Sequence, residues 1–120
     1  MSVNKVILIG NVGNKPDIRH VGDRPIASFS LATHERGRHN PDGTQMPDIT
    51  EWHNIVMWDK AAEIAERYIE TGTKLYIEGK LRTRVWQDRN AIKRDRTEII
   101  VETFDILSRS TKQNPQEKKM

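Results

Sequence analysis

Apolar and polar positions alternate along most of the chain, a pattern typical of β-strands that bury one face. In the clearest example, serine residues separate Ala27, Phe29 and Leu31. The alternation marks five strands: residues 4–10, residues 18–20 continued through a Gly22-Asp23 turn into 26–33, and residues 50–58, 74–86 and 96–107. The pattern therefore predicts a protein built mainly of β-strands.

One segment has helical spacing instead. Ala61, Ile64 and Tyr68 recur at intervals of three or four positions between residues 60 and 70, which places them on one face of a helix. Asp59 is the predicted N-cap, and Gly72 stands where a residue with left-handed backbone conformation is expected. We therefore expect one helix between the third and fourth strands.

The order of these elements indicates a fold. Five strands with one helix between strands three and four are typical of the all-β oligonucleotide-binding barrel (OB-fold), a five-stranded Greek key, although element order alone also fits other small β-barrels. Segment 36–48, which contains glycine, proline and histidine, is predicted to be a mobile loop. The barrel domain is predicted to span residues 1–108, and residues 109–120 to form a disordered basic tail.

Length and charge refine this picture. A chain of 120 residues is expected to form one domain. Its net charge of +3 comes from the tail, because residues 1–108 contain 16 basic and 16 acidic side chains. Within the domain, however, Lys80–Arg96 carries seven basic residues against two acidic ones. This stripe fits either a phosphate-binding surface or an ordinary solvated strand face.

Several classes of function are excluded by what the sequence lacks. Without cysteine there is no thiolate nucleophile, disulfide or cysteine-based metal site. The four histidines are not spaced as metal ligands, the glycines form no phosphate-binding loop motif, and no carboxylate cluster fits a metal-dependent nuclease. We therefore predict that the protein is not an enzyme and holds neither a metal nor another cofactor.

The sequence also bears on location. No apolar run approaches the roughly 18 residues that a membrane-spanning helix needs. The N-terminal residues run directly into the first strand and lack the apolar stretch of a signal peptide. We therefore expect a cytoplasmic protein with no membrane partner.

The tryptophans are the most informative side chains. Trp86 shares its side of the fourth strand with basic residues, and this arrangement suits single-stranded nucleic acid, because bases stack on the indole while guanidinium groups pair with phosphates. The predicted phosphate contacts on this strand are Lys80, Arg82 and Arg84. The alternative for Trp86 is that it covers an edge of the core. For Trp52 and Trp58, in the third strand, both interpretations stay open.

The first strand is apolar on both sides, from Val6 to Ile9. A small barrel needs only its inward side apolar, so something covers the outer side. Leu75-Tyr76-Ile77 in the fourth strand repeats this feature. We predict a homo-oligomer with Val6, Leu8 and Tyr76 at the subunit interface; coverage by the chain's own helix or tail is the competing explanation.

Four segments resemble the bacterial single-stranded DNA-binding protein family. They are Asn4–Gly13 (NKVILIGNVG), Ala27–Thr33 (ASFSLAT), Thr50–Val56 (TEWHNIV) and Tyr76–Trp86 (YIEGKLRTRVW), and the resemblance runs in order from Val3 to Leu107. It implies an OB-fold barrel, assembled as a homotetramer. It also implies that the protein wraps single-stranded DNA without sequence preference in replication, recombination and repair, at the nucleoid.

The resemblance assigns roles to individual residues. It implies that Trp52, Trp58 and Trp86 stack on bases and that His53 lies at a subunit interface. The positions that match the family's DNA path are Lys5, Asn11, Arg19, Lys60, Arg82 and Arg84.

The chain departs from the family pattern in two places. Residues 36–39 (RGRH) include no aromatic side chain where many members carry a tryptophan, and the chain ends in Lys118-Lys119-Met120 where members usually carry an acidic tip. The sequence is either truncated or a short variant, and we expect this chain not to recruit the partners that dock on the acidic tip. An alternative function is an interaction module of the same fold that mainly contacts other proteins.

Overall fold

Six strands and one helix make up residues 1–109, the part of the chain that this computed structural model describes. The strands are β1 (Val6–Val12), β2 (Asp17–Val21), β3 (Arg24–Glu35), β4 (Ile49–Trp58), β5 (Lys74–Gln87) and β6 (Lys93–Ser108). The helix, α1 (Lys60–Tyr68), connects β4 to β5. The predictions about the tail and about tip-dependent partners concern residues that lie, apart from Arg109, outside the described part.

Strand β1 closes the barrel. It pairs with β5 along one edge, and on the other edge it pairs with β3 through Asn11–Ala32 and Val12–Leu31. The order β1-β5-β6-β4-β3 therefore returns to β1. Strand β2 pairs with the first residues of β3, Arg24–Ser28, which β1 does not reach. The five-stranded barrel with its helix between the third and fourth barrel strands confirms the predicted fold. The predicted return through the Gly22-Asp23 turn is confirmed, and it joins two strands, β2 and β3, in a hairpin.

The core follows from the alternation. Five of its six largest fully buried apolar side chains come from alternate positions on three strands: Leu31, Ile55, Met57, Leu75 and Ile77. The sixth, Ile69, directly follows α1. Helix α1 adds two buried alanines, Ala62 and Ala65, and its exposed face is charged. Among residues 1–109 no helix is long and apolar enough to cross a membrane.

Asp59 occupies the predicted N-cap position, since its carbonyl accepts from the Glu63 amide at 3.1 Å, but its side chain does not cap the helix. The Asp59 carboxylate makes no capping hydrogen bond to α1, and its backbone, at φ 57° and ψ −123°, lies outside the β region that a capping residue adopts. The carboxylate instead accepts two hydrogen bonds from the Arg24 guanidinium. Gly72 has the expected positive φ of 93° but belongs to the turn before β5, because α1 ends at Tyr68 with Ile69 as its C-cap.

The connection between β3 and β4 carries its own backbone hydrogen bonds. The amide of Asn40 donates to the Thr44 carbonyl at 2.8 Å, and the amide of Met46 donates to the Arg38 carbonyl at 2.7 Å. This pairing gives segment 36–48 the form of a short hairpin. Its mobility stays a prediction.

The outer halves of β5 and β6 extend beyond the core. Their antiparallel pairing continues to Gln87 and Lys93, but every side chain of β5 from Leu81 onward is exposed. On β6, Lys93–Thr97 are exposed as well. This arm presents side chains to solvent on both of its faces.

Candidate nucleic-acid interface

The three tryptophans differ in exposure. Trp52, in the middle of β4, is 60% exposed, and Trp86, near the tip of β5, is 37% exposed. Trp58, at the end of β4, is half-buried. None of the three belongs to the buried core, although Trp58 lies directly after the buried Met57.

Trp52 lies against the turn that follows β1. A Cβ atom built on Gly13 would lie only 2.3 Å from Cζ3 of the Trp52 ring, so the indole occupies space that any other residue at position 13 would fill. Hydrogen bonds fix this turn: the Gly13 amide donates to the Ser30 carbonyl at 2.9 Å, and the Asn14 carboxamide oxygen accepts from the amide of Ser30 at 2.9 Å. The ring therefore has a rigid support and keeps most of its surface exposed.

Arginine residues connect Trp52 to Trp86. Asn54 shares the Trp52 side of β4, because alternate residues of a strand face the same way, and it accepts a hydrogen bond of 2.7 Å from Nη2 of Arg96. Arg96 lies directly opposite Arg84 across β5 and β6, and directly opposed residues share a face. We name this surface (Trp52, Asn54, Arg84, Trp86 and Arg96) the tryptophan–arginine face.

The charge on this face is largely unneutralised. The guanidinium carbon of Arg84 lies 5.3 Å from the centroid of the Trp86 ring. Its nearest carboxylate is that of Glu98, at 3.8 Å, a long contact for an ion pair. Arg82 is exposed on the same side of β5. The face therefore combines two exposed indoles with arginine side chains at alternate positions of a strand.

Arg96 is a site residue that the sequence reasoning did not single out. It belonged to the basic stripe, but its connection to Trp52 depends on the pairing of β6 with both β4 and β5. No local pattern reveals this register.

Trp58 has a neighbour of a different kind. The guanidinium carbon of Arg24 lies 4.5 Å from the centroid of the Trp58 ring. The same guanidinium is bound by Asp59, through Nε–Oδ1 at 3.0 Å and Nη2–Oδ2 at 2.7 Å. This hydrogen bonding to Arg24 lowers the pKa of the Asp59 carboxyl below its usual value. Neither Arg24 nor Asp59 was among the predicted site residues.

The remaining predicted DNA contacts have different surroundings. Lys5 binds the Glu78 carboxylate at 2.8 Å, and this hydrogen bond raises the pKa of Lys5. Arg19 binds Asp17 at 3.0 Å. Asn11 donates to the Gly72 carbonyl at 3.2 Å. The structure also places Lys60, exposed, at the first position of α1, and Lys80, half-buried, at the base of the arm.

The predicted interface residues lie on both sides of β1 and β5. Val6 and Leu8 are half-buried and pack against the core. Ile7 and Ile9, which alternate with them, are 58% and 52% exposed. Tyr76 lies opposite Ile9 in the sheet and donates from its hydroxyl to Glu78. The outward apolar surface, which we name the outer β1 face, therefore consists of Ile7, Ile9 and Tyr76.

His53 lies on the side of β4 opposite to Trp52. It is half-buried, and its Nε2 lies 2.8 Å from the Thr33 hydroxyl on the neighbouring strand. Across the described residues, no group of three or more histidine or acidic side chains is placed to hold a metal ion.

The sequence of this chain is similar to those of known proteins. The model of the single-strand binding protein family matches residues 3–107. A single-stranded DNA-binding protein of Bacteroides thetaiotaomicron is 50% identical over 109 residues, which cover 90% of this chain and 68% of that protein. One of Rhizobium meliloti is 46% identical over 106 residues, covering 87% of this chain and 60% of the relative.

A solved structure supports the fold independently. A chain described as Plasmodium falciparum SSB in complex with ssDNA superposes with a TM-score of 0.75 at 35% identity. The match covers 90% of this chain and 96% of the other.

Proposed function

The chain belongs to the single-strand binding protein family, and we propose that it binds single-stranded DNA without sequence preference on the tryptophan–arginine face. The observation that carries this proposal is the connected path from Trp52 through Asn54, Arg96 and Arg84 to Trp86. Aromatic rings accept any base by stacking, and arginines pair with phosphates that are the same at every nucleotide. The face therefore recognises the features common to all single strands.

The protein is a binding protein and not an enzyme, as its family membership indicates. We propose that it coats single strands exposed during replication, recombination and repair, which would place it at the nucleoid in the cytoplasm. The relatives from Bacteroides thetaiotaomicron and Rhizobium meliloti carry names for this binding activity.

The proposal includes a homotetramer. The outer β1 face exposes two isoleucines side by side, next to the half-buried Tyr76 ring, and contiguous apolar surface of this kind marks an interaction site. We assign Ile7 and Ile9 to the subunit interface, since Val6 and Leu8 point toward the core. A second contact is assigned to His53, which the resemblance places between subunits.

A competition experiment tests the proposed function. Fluorescein-labelled dT35 is titrated with the protein, and unlabelled single strands of different sequence or a duplex of equal length are added as competitors. We expect dT, dC and mixed single strands to compete at similar concentrations, and the duplex to need at least a hundredfold more. Equal competition by the duplex would show that the face binds phosphates without requiring exposed bases.

The arginines of β5 are expected to set the salt dependence of binding. For single strands, log affinity falls with log salt by about 0.7 per phosphate neutralised. Arg82→Ala and Arg84→Ala should each make the slope shallower by about that amount. The measurement is the dissociation constant for dT35 at five NaCl concentrations.

Arg67→Ala is the matched control for these variants. Arg67 is exposed on the last turn of α1, so its removal lowers the net charge equally at a position outside the face. The control should leave the slope unchanged. Weaker binding of Arg84→Ala with an unaltered slope would assign Arg84 to stacking or packing.

Gly13 is expected to be required for the position of Trp52. In Gly13→Ala the new methyl group overlaps the indole and also lies 2.8 Å from the Ser30 hydroxyl, so the ring has to leave its support and the serine has to turn. We expect the affinity for dT35 to fall by about three- to tenfold, which is part of the stacking energy of one base. In a Trp52→Ala background, where only the contact with Ser30 is left, Gly13→Ala should have a much smaller effect. An equal loss in both backgrounds would show that the substitution acts on the turn and not through the ring.

A further inference from the structure

Arg24 lies over one face of the half-buried Trp58 indole, with its guanidinium carbon 4.5 Å from the ring centroid. This distance is within the range of a cation–π contact, and a planar guanidinium also stacks on an aromatic ring. The part of the ring beneath Arg24 is therefore already in contact with a planar group of this chain.

Asp59 holds Arg24 in this position. Its two carboxylate oxygens bind Nε and Nη2 of the guanidinium at 3.0 and 2.7 Å, a bidentate arrangement that fixes the orientation of the plane. Both side chains are more than half exposed, so the pair is held by its two hydrogen bonds and not by burial.

The backbone that presents Asp59 is unusual. At φ 57° and ψ −123° it adopts a conformation that glycine enters freely and other residues rarely adopt. The Asp59 amide donates to the Pro25 carbonyl at 2.9 Å, which brings the end of β4 beside the start of β3. The Asp59 carboxylate, which does not cap α1, binds Arg24 instead.

We propose that Arg24 and Asp59 form an intramolecular occupant of the Trp58 ring, which a nucleotide base must displace before it stacks there. This inference deepens the proposed function and rests on it. A base and a guanidinium plane need the same ring surface. Because Asp59 neutralises Arg24, the pair has no net charge. It therefore covers the ring without attracting the phosphates of the strand. Trp58 is therefore a weaker stacking position than Trp52, and the Arg24–Asp59 pair lowers the affinity of the protein for single strands.

The arginine beside Trp86 differs in each of these respects. Arg84 lies farther from its ring, at 5.3 Å, and its carboxylate contact with Glu98 is long, at 3.8 Å. Arg84 is thus free to turn toward a phosphate. Among the tryptophans, Trp58 alone has a neighbouring arginine held by two hydrogen bonds within the described residues.

The test removes the pair without changing the net charge. In Arg24→Ala/Asp59→Gly the cation and the anion leave together, and glycine suits the backbone at position 59. We expect the affinity for dT35 to rise by about three- to tenfold, the scale of one cation–π contact and one exposed ion pair, with an unchanged salt slope. The control is Glu63→Gln/Arg67→Gln, which removes one charge of each sign from the exposed surface of α1 and should leave the affinity unchanged.

A second measurement needs no DNA. With Trp52→Phe and Trp86→Phe, Trp58 is the remaining tryptophan. When it is excited at a wavelength that tyrosine does not absorb, its quenching by acrylamide reports how much of the ring is uncovered. Removing Arg24 and Asp59 in this background should raise the quenching constant at least twofold, with an unchanged circular dichroism spectrum.

The outcomes separate this inference from the proposed function. Unchanged or weaker DNA binding by Arg24→Ala/Asp59→Gly, in a protein whose Trp58→Ala variant does lose affinity, would overturn the occupant and leave the proposed function intact. An unchanged quenching constant would also overturn it, whatever the DNA result. Failure of the wild-type protein to bind dT35 would refute the proposed function and the displacement step, while a raised quenching constant would still identify Arg24 as the cover.

Discussion

Trp52→Ala is expected to weaken binding to dT35 by about 5- to 150-fold, which corresponds to the roughly 1 to 3 kcal/mol that stacking contributes per base. Trp52 is the most exposed of the three indoles and has a rigid support on Gly13, so its outer ring surface is available to a base without rearrangement. Trp86→Ala is expected to cost a similar amount. Trp58→Ala should cost less, because Arg24 already covers part of that ring.

Two controls belong with this prediction. Tyr68 on α1 is 59% exposed, nearly as much as Trp52, but lies outside the tryptophan–arginine face. Tyr68→Ala should therefore leave affinity unchanged, and Trp52→Phe, which keeps an aromatic ring, should retain most of it. If Trp52→Ala and Tyr68→Ala bind dT35 equally well, bases do not stack on Trp52.

Ile7→Asp is expected to break the assembly. The substitution puts a carboxylate into apolar surface that we assign to the subunit interface, where an unpaired charge is costly to bury. We expect the wild-type protein to have the mass of a tetramer by light scattering at micromolar concentration, and Ile7→Asp to have a smaller mass. If a long single strand contacts several subunits of the proposed tetramer, its affinity should fall far more than that of a short oligonucleotide.

Val21→Asp is the matched control for this variant. Val21, on β2, is 58% exposed, the same fraction as Ile7, and the substitution introduces the same charge at another surface position. It should leave the mass unchanged. A monomeric wild-type protein, or loss of the tetramer in both variants, would contradict the assignment of the outer β1 face.

Much of the barrel was predictable because its physics is local. Half-buried strands require alternation, and a helix requires its own spacing, so the change of period after Trp58 marked α1 correctly. The turn between β2 and β3 was predictable too, because Gly22-Asp23 is a local turn signal and Gly22 has the positive φ that such a turn requires.

Non-local pairing explains what the sequence did not reveal. Where both sides of β1 are apolar, alternation does not tell which side faces inward, and only the pairing with β5 and β3 separates Val6 and Leu8 from Ile7 and Ile9. Asp59 directly precedes a helix, which is the usual place of an N-cap, but Arg24 lies 35 positions earlier in the chain. Its contact with Asp59 arises only when β3 and β4 pair.

The central claim, that bases stack on the tryptophans of one face, is tested most directly by intrinsic fluorescence. The protein is titrated with unlabelled dT35 while tryptophan emission is recorded, and fluorescence anisotropy of labelled dT35 measures binding in parallel. The account predicts strong quenching that saturates at the same stoichiometry as the anisotropy, with a smaller quenched fraction in Trp52→Phe and Trp86→Phe. Saturable binding by anisotropy with tryptophan emission unchanged would contradict it.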